Sequence, residues 1–255
     1  MQRMAMAPPS EKGEKSGPTI GTLSEYQLHR ELKAYFMADP LFHEQPVGPY
    51  VADIRCGNEI VEIQSKDLYK MKAKLDYYLS EGFSVTVVYP VVLEKRLIWL
   101  DPDTGEVVSS RRCPKKGRVL DLFGELARLP AYLTRENLSF VAVTTRVVEY
   151  RSLNGQGKNR KKGARHLQRI PTELLHQYRF SSPKDYLSVL PGLENLPQPF
   201  TVGEFSAQFA CPIPLARAAV RVLRQLGGIT YCGKRGRMYE YRCVPFAEVT
   251  PQSGN

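Results

Sequence analysis

The sequence predicts an α/β protein with a mixed sheet in its first part and a small helical domain near its C-terminal end. Two runs of residues that favour β-strands flank Gly57-Asn58, and both residues of this pair tolerate the positive φ of a two-residue hairpin turn. An amphipathic helical pattern is followed at once by Phe83 to Tyr89, a continuous apolar run that is typical of a buried strand. A break at Pro191 to Pro199 then precedes two short helical patterns and two strand patterns.

The elements before this break alternate between helices and strands. Thr22-Leu23-Ser24-Glu25 has the form of a capping box, and Leu28, Leu32 and Phe36 follow at helical spacing until Asp39-Pro40. A second helix is predicted from about Lys66 to Ser80, where apolar residues recur on one face. The other predicted elements are strands at 97–100, 106–109 and 138–150 and a helix at 120–132.

The hairpin around Gly57-Asn58 is the most informative segment about function. Its turn sets Ile54 opposite Val61 and Asp53 opposite Glu62, with Cβ atoms of opposed residues about 4.5 to 5.5 Å apart. Two carboxylates at that distance on a partly apolar surface are unfavourable unless a proton or a cation separates them. Because Mg²⁺ prefers carboxylate oxygens, the hairpin predicts a metal site. The alternative is a solvated sheet edge on which each carboxylate pairs with Lys or Arg.

With Glu25 on the preceding helix, Asp53 on one strand, and Glu62 and Gln64 on the next, residues 21–89 resemble the PD-(D/E)XK nuclease family. The resemblance implies a restriction-endonuclease-like core in which Glu25, Asp53 and Glu62 hold one or two Mg²⁺ (or Mn²⁺) ions against the scissile phosphate. It also implies that Gln64 stands where the family has a lysine that orients and activates the attacking water. The alternative role of Glu25 is to complete the capping box.

Gln64 changes the chemistry that this site can support. A glutamine can hydrogen-bond the water but supplies no positive charge to the transition state. If the strand continues, Lys66 points the same way as Glu62 and could supply the lysine that is missing at position 64. The alternative role of Lys66 is to begin the next helix. Lys70 and Lys74, four residues apart on that helix, are candidates for phosphate contacts or form a solvated charged stripe.

The charge of the chain favours a polyanionic partner. Lys and Arg total 36 against 26 acidic residues in 255, which gives a formal net charge of +10 and a pI near 9.4. Residues 151–169 contain no acidic residue and predict a mobile loop, either a solvated linker or an arm that contacts nucleic-acid phosphates. The cations at its centre are Arg160, Lys161 and Lys162. DNA is therefore the expected partner.

Residues 200–246 resemble a winged helix-turn-helix. Two helical patterns, separated by a turn at 211–214, precede two strand patterns that flank a basic tip at 233–237. The resemblance assigns DNA contacts to the second helix and to the tip, through Arg217, Arg221, Arg224, Lys234, Arg235 and Arg237. The alternative is a winged helix used only for protein contacts or dimerisation. Segments 21–33 and 51–79 also look like an uncharacterised bacterial family that joins a nuclease-like domain to such a C-terminal unit.

The predicted division of the chain is a disordered tail (1–20), a nuclease-like α/β domain (21–150), a basic loop and linker (151–199), a winged helix (200–246) and a second tail (247–255). The five cysteines have neither zinc-site spacing nor an even count, which favours a reducing cytoplasm. No apolar run approaches the length of a membrane span.

These patterns predict a Mg²⁺-dependent nuclease that acts on DNA and is positioned by its winged helix. The first alternative is a DNA-binding regulator that has the same fold without catalysis. A second alternative is an interaction module whose basic clusters face acidic protein. Since nucleases of this kind often cut both strands as dimers, a homodimer is an open alternative to a monomer.

Overall fold

A computed structural model describes residues 20–152 and 165–245, with side chains for residues 27–152 and 167–245. The helices are α1 (Ile20–Phe36), α2 (Lys72–Ser80), α3 (Asp121–Leu126), α4 (Pro183–Ser188), α5 (Val202–Gln208) and α6 (Ile213–Gln225). The strands are β1 (His43–Val47), β2 (Tyr50–Cys56), β3 (Glu59–Ile63), β4 (Ser84–Leu100), β5 (Val107–Arg112), β6 (Leu138–Ser152), β7 (Arg165–Phe180), β8 (Phe200–Thr201), β9 (Ile229–Arg235) and β10 (Met238–Cys243). The predicted tails lie outside the described residues, apart from Ile20.

The larger sheet is mixed, as the sequence predicted. Its strand order is β1-β2-β3-β4-β6-β7, with β5 paired to β4. The pairs β1–β2, β2–β3, β4–β5 and β6–β7 are antiparallel, whereas β3–β4 and β4–β6 are parallel. Parallel neighbours need a crossover connection, and α2 supplies it between β3 and β4. The chain is therefore an α/β protein with a mixed sheet.

The β2–β3 hairpin has the predicted turn but a shorter ladder than expected. Gly57 has a φ of +57°, and Ile54 is the register partner of Val61. The ladder ends at that pair, so Asp53 and Glu62 are not opposed as strand partners. The carboxylate of Asp53 instead accepts a hydrogen bond from the backbone N–H of Ile63 at 2.8 Å. The Asp53 carboxylate therefore bonds to the backbone of β3 at the residue after Glu62.

Helix α1 covers one face of the sheet. Leu28 and Leu32, one turn apart, are buried against Ile63, Val88 and Val141 from three neighbouring strands. Burying side chains of this size stabilises the fold by roughly 1.5 to 3 kcal/mol each. This packing places the polar face of α1 over the end of the β2–β3 hairpin.

Helices α2 and α3 cover the opposite face. Leu75 of α2 and Phe123 of α3 are fully buried in a cluster that includes Ile60 and Val87 from the sheet. Strand alternation places Glu62 on this same face, between Ile60 and the end of β3. The carboxylate of Glu62 is therefore directed toward α2 and not toward α1.

The C-terminal residues form a unit with the predicted order of two helices and two strands. Thr201 and Glu204 make a reciprocal capping box at the start of α5. Strands β8, β10 and β9 form a three-stranded sheet, and α6 buries Ala219 and Leu223. The Arg118 Nη1 group, just before α3, donates to the carbonyl of Phe209 at 2.9 Å. The unit thus shares one continuous hydrophobic core with the larger sheet.

Several predicted boundaries are wrong. Residues 151–152 belong to β6 and residues 165–169 to β7, so the two ends of the expected loop at 151–169 are strand. The expected linker at 151–199 also contains α4. Arg160, Lys161 and Lys162 lie outside the described residues. Helix α1 begins at Ile20, which places Thr22 inside the helix and not at its cap. The predicted helix at 120–132 is shortened to α3 and a 3₁₀ turn beginning at Pro130, because proline cannot donate to a continuing helix.

Candidate active site

A cleft of about 650 Å³ lies between α1 and the end of the β2–β3 hairpin. Asp53, Gln64 and Lys66, which the sequence assigned to the site, all line it. Helix α1 contributes further basic or titratable groups, and the segment before β2 contributes the rest: His29, Arg30, Lys33, His43 and Glu44. The cleft thus combines two carboxylates, Asp53 and Glu44, with an amide and several cations, and the cations suit a polyanionic ligand.

Glu62 does not line this cleft and is almost fully buried. Its Oε2 accepts a hydrogen bond from Lys74 Nζ at 2.7 Å, and its Oε1 accepts one from the Tyr78 hydroxyl at 3.3 Å. Burial raises the pKa of Glu62. The charge of Lys74 and the hydrogen bonds from Lys74 and Tyr78 lower it, and the nearby charge of Asp53 raises it, so the net pKa of Glu62 is about 7. The two carboxylates therefore lie close enough to oppose each other's ionisation, although they are not strand partners.

Lys74 is the cation that compensates Glu62. Its side chain is 23% exposed, and its ammonium group lies 5.8 Å from the centre of the Tyr78 ring. From the sequence, Lys74 was predicted only to contact phosphate or to belong to a solvated stripe, and Tyr78 only to be an apolar residue of the helix. The spacing of the two residues on one face of α2 was the available signal, but their contact with Glu62 depends on how α2 packs on the sheet.

Gln64 and Lys66 lie in the cleft for a different reason from the one predicted. Strand β3 ends at Ile63 and does not continue to Lys66. The expectation that strand alternation points Lys66 the same way as Glu62 is therefore wrong. The Gln64 backbone N–H still donates to the carbonyl of Val88 at 2.9 Å, and its side-chain amide donates to the carbonyl of Lys66 at 2.7 Å. A turn stabilised by these two bonds presents both side chains to the cleft.

The structure describes only two of the three predicted metal ligands with their side chains. Glu25 is part of α1, one helical turn before His29, and its side chain lies outside the described residues. Among the side chains that are described, no group of three or more His, Cys, Asp or Glu residues could hold a metal ion. Asp53 and Glu62 are therefore the described carboxylates on which a divalent ion could bind at this position.

Other polar residues near the cleft have partners within the fold. Lys33 Nζ lies 2.8 Å from Glu44 Oε1, and this hydrogen bond and charge hold the pKa of Glu44 below its ordinary value. Lys70 forms an exposed pair with Asp67 at 2.8 Å, so Lys70 makes a local contact on the protein surface. Such exposed pairs contribute little stability and leave Lys70 accessible to a ligand.

The basic residues of the C-terminal unit separate into exposed and engaged groups. Arg217, Arg221 and Arg224 are exposed on α6, on the side opposite its buried stripe. Lys234 and Arg237 are exposed at the β9–β10 hairpin.

Arg235 is the exception among these predicted DNA contacts. It donates to Glu204 at 2.8 Å, to Glu240 at 2.7 Å and to the carbonyl of Pro199 at 3.1 Å. Its guanidinium group therefore joins the hairpin to α5. Sequence reasoning also missed two exposed aromatic residues on this hairpin, Tyr231 and Tyr239.

Comparison with known proteins gives a family and one relative. The profile described as "Domain of unknown function (DUF8091)" matches residues 26–181. An "Uncharacterized protein" of Treponema pallidum (strain Nichols) is 31% identical over 228 residues, which cover 89% of this chain and 88% of the relative. No solved structure matches the chain. None of the described helices combines the length and apolarity needed to span a membrane.

Proposed function

This chain belongs to the DUF8091 family, and we propose that it is a metal-dependent nuclease-like protein that acts on DNA. The observation that carries the proposal is that Asp53, which lines the basic cleft, lies near the buried pair of Glu62 and Lys74. An acidic pair with a lysine is the set of groups that the PD-(D/E)XK resemblance requires. In this chain the lysine comes from α2 and compensates for Gln64.

The order of elements supports the same proposal. Helix α1, the antiparallel strands β1 to β3, the crossover helix α2 and the parallel strand β4 fit a restriction-endonuclease-like core. Glu25 on α1, Asp53 on β2 and Glu62 on β3 occupy the three elements that carry the acidic residues in that resemblance.

Each residue then has a distinct role. Asp53 and Glu62 would hold Mg²⁺ or Mn²⁺, and the ion would polarise the scissile phosphate and lower the pKa of a bound water. Lys74 would place positive charge next to the phosphate as negative charge develops on it. Gln64 would hydrogen-bond the attacking water, and Lys66 would bind phosphate oxygens at the cleft.

The C-terminal unit would position the DNA as a winged helix. The exposed arginines of α6 would contact the groove or the phosphates, and Lys234 and Arg237 would contact them from the hairpin. Arg235 is better explained as a structural residue, because its nitrogens already donate to Glu204 and Glu240.

A second function has one specific observation in its favour. The two predicted metal ligands whose side chains are described already have partners within the fold. Asp53 accepts a hydrogen bond from the Ile63 N–H, and Glu62 accepts one from Lys74. A fold that satisfies its carboxylates internally can bind DNA without metal or catalysis. This is the DNA-binding regulator that the sequence left as the alternative.

Cleavage assays separate the two functions. Labelled linear, supercoiled and single-stranded DNA would be incubated with Mg²⁺ or Mn²⁺ and wild-type protein, Asp53→Asn, Glu62→Gln or Lys74→Met, with DNA binding followed in parallel. Lys72→Met is the matched control, because Lys72 is an exposed lysine on the same helix. We expect metal-dependent cleavage that the first three substitutions abolish and that Lys72→Met preserves, with binding retained throughout. Binding by the wild type without cleavage would refute the nuclease and support the regulator.

A further inference from the structure

A second pocket, of about 220 Å³, lies on the sheet face that carries Glu62. Tyr89 lines this pocket and lies two residues beyond Val87, the register partner of Glu62. Side chains two residues apart on a strand share a face and are separated by about 7 Å. The pocket is therefore close to the candidate active site, but the residues that line it are different.

The lining of this pocket is positively charged. Lys95, Lys115 and Arg169 contribute to it, and Asp121 is the acidic residue that also lines it. The carboxylate of Asp121 accepts a hydrogen bond from the backbone N–H of Arg118 at 2.9 Å, so it stabilises the turn before α3. The positive groups consequently outnumber the negative ones around the empty volume.

Two of these cations also belong to a buried cluster around Glu149. The Glu149 side chain is 1% exposed and lies 2.9 Å from Lys95 Nζ, 2.6 Å from Arg151 Nη2 and 3.3 Å from Arg169 Nη2. Three cations therefore converge on one carboxylate. Their excess positive charge is costly away from bulk water unless another anion is nearby.

Arg169 has hydrogen-bonding capacity that the described residues do not use. Its Nε is buried and has no hydrogen-bond partner among them, and its contact with Glu149 is the longest of the three. Leaving a buried N–H group without an acceptor is unfavourable, because the group has lost its hydrogen bonds to water. A ligand that accepts a hydrogen bond and carries negative charge would relieve both the unpaired donor and the excess charge.

We propose that this pocket binds a phosphoryl group, held by Arg169 and Lys95 with Lys115 at its rim. The planar fork of arginine matches phosphate oxygens, and lysine adds a compact charge. Burial raises the pKa of Tyr89 to about 12, so its hydroxyl remains a hydrogen-bond donor. The phosphoryl group belongs either to a nucleic-acid backbone or to a free nucleotide. This binding does not depend on metal-dependent hydrolysis at Asp53.

The test compares charge-matched variants. Arg169→Gln and Lys115→Gln each remove one positive charge from the pocket, and Lys184→Gln removes one from an exposed position on α4. Melting temperatures would be measured in sodium phosphate and sodium chloride at equal ionic strength and in a titration with adenosine 5′-monophosphate. Duplex DNA binding would be measured by fluorescence anisotropy at several salt concentrations. Lys115 is exposed, so its variant tests the pocket even if loss of Arg169 destabilises the Glu149 cluster.

We expect phosphate to stabilise the wild type, with binding weakened about tenfold or more by Arg169→Gln, which removes a charge-assisted hydrogen bond. Lys115→Gln should weaken it severalfold and Lys184→Gln less than twofold. If the source is a nucleic-acid backbone, DNA affinity falls in the two pocket variants and the salt slope decreases by about one. If the source is a free nucleotide, only phosphate and nucleotide binding falls. Equal behaviour of the pocket variants and Lys184→Gln toward all three probes would overturn the proposal.

Discussion

Replacing Glu149 by glutamine should remove a large part of the stability that the β6–β7 hairpin has at neutral pH. Burial raises the pKa of Glu149, but hydrogen bonds from Lys95 and Arg151 and their charges outweigh it and lower the pKa to about 2, against an ordinary value of 4.5. The ionised carboxylate is therefore favoured in the folded state. The glutamine variant would leave Lys95, Arg151 and Arg169 around a neutral side chain.

The shifted pKa sets the magnitude of this effect. One pKa unit corresponds to 1.36 kcal/mol, so the shift of Glu149 contributes about 3 kcal/mol at neutral pH. Because the folded-state pKa is lowered, the contribution is fully present above pH 4.5 and is lost as the pH falls toward 2. At pH 3 about 2 kcal/mol of it should already be gone.

Urea unfolding at steps from pH 7 to pH 3 measures this loss. The difference in free energy of unfolding between wild type and Glu149→Gln should shrink as the pH falls below 4.5. Glu173→Gln is the control, because Glu173 pairs with Arg146 on the same hairpin but is about half exposed, and its loss should cost less than about 1 kcal/mol. Parallel pH profiles for wild type and Glu149→Gln would show that ionisation of Glu149 does not contribute this stability.

Three further predictions concern other parts of the molecule. Leu32→Ala should lower the free energy of unfolding in urea by about 3 kcal/mol, because Leu32 is fully buried between α1 and the sheet. Leu41 is exposed, so Leu41→Ala should change the free energy of unfolding by less than about 0.5 kcal/mol. Gly48→Ala should cost more than about 1 kcal/mol, since Gly48 has a φ of +56° and a Cβ there would lie 2.0 Å from the Tyr77 hydroxyl oxygen; an unchanged melting temperature would contradict this. Arg221→Gln should lower DNA affinity and reduce the salt slope by about one, whereas Arg235→Gln should mainly lower the melting temperature; the reverse result would show that the roles of the two arginines are exchanged.

The parts of the fold that the sequence predicted are those set by local signals. The Gly57-Asn58 turn fixed the hairpin, and the spacing of Leu28 and Leu32 fixed the buried face of α1. The β6–β7 hairpin was missed because its pairing joins distant segments, such as Tyr150 with Gln168. A run rich in arginine and lysine looks solvated until a buried acidic partner, here Glu149, is known.

The candidate site was predictable only in part for a similar reason. Asp53 and Glu62 could be placed near each other because one short turn connects their strands. The end of the ladder at Ile54 depends on how Asp53 bonds to the Ile63 N–H, which alternation along a strand does not reveal. Lys74 reaches Glu62 only because of the way α2 packs on the sheet, and a helical pattern does not specify which strands the helix contacts.

The contact between Glu62 and Lys74 has a direct consequence for metal binding. A divalent cation on Asp53 and Glu62 would compete with Lys74 for the same carboxylate and would repel its ammonium group. Lys74 would have to move away from Glu62 to admit the ion, and its side chain is 23% exposed and therefore not locked in the core. The same lysine that neutralises Glu62 without metal would thus become available to the phosphate when metal is present. A lysine on the neighbouring helix can in this way supply the positive charge that Gln64 lacks, and the strand position need not carry it.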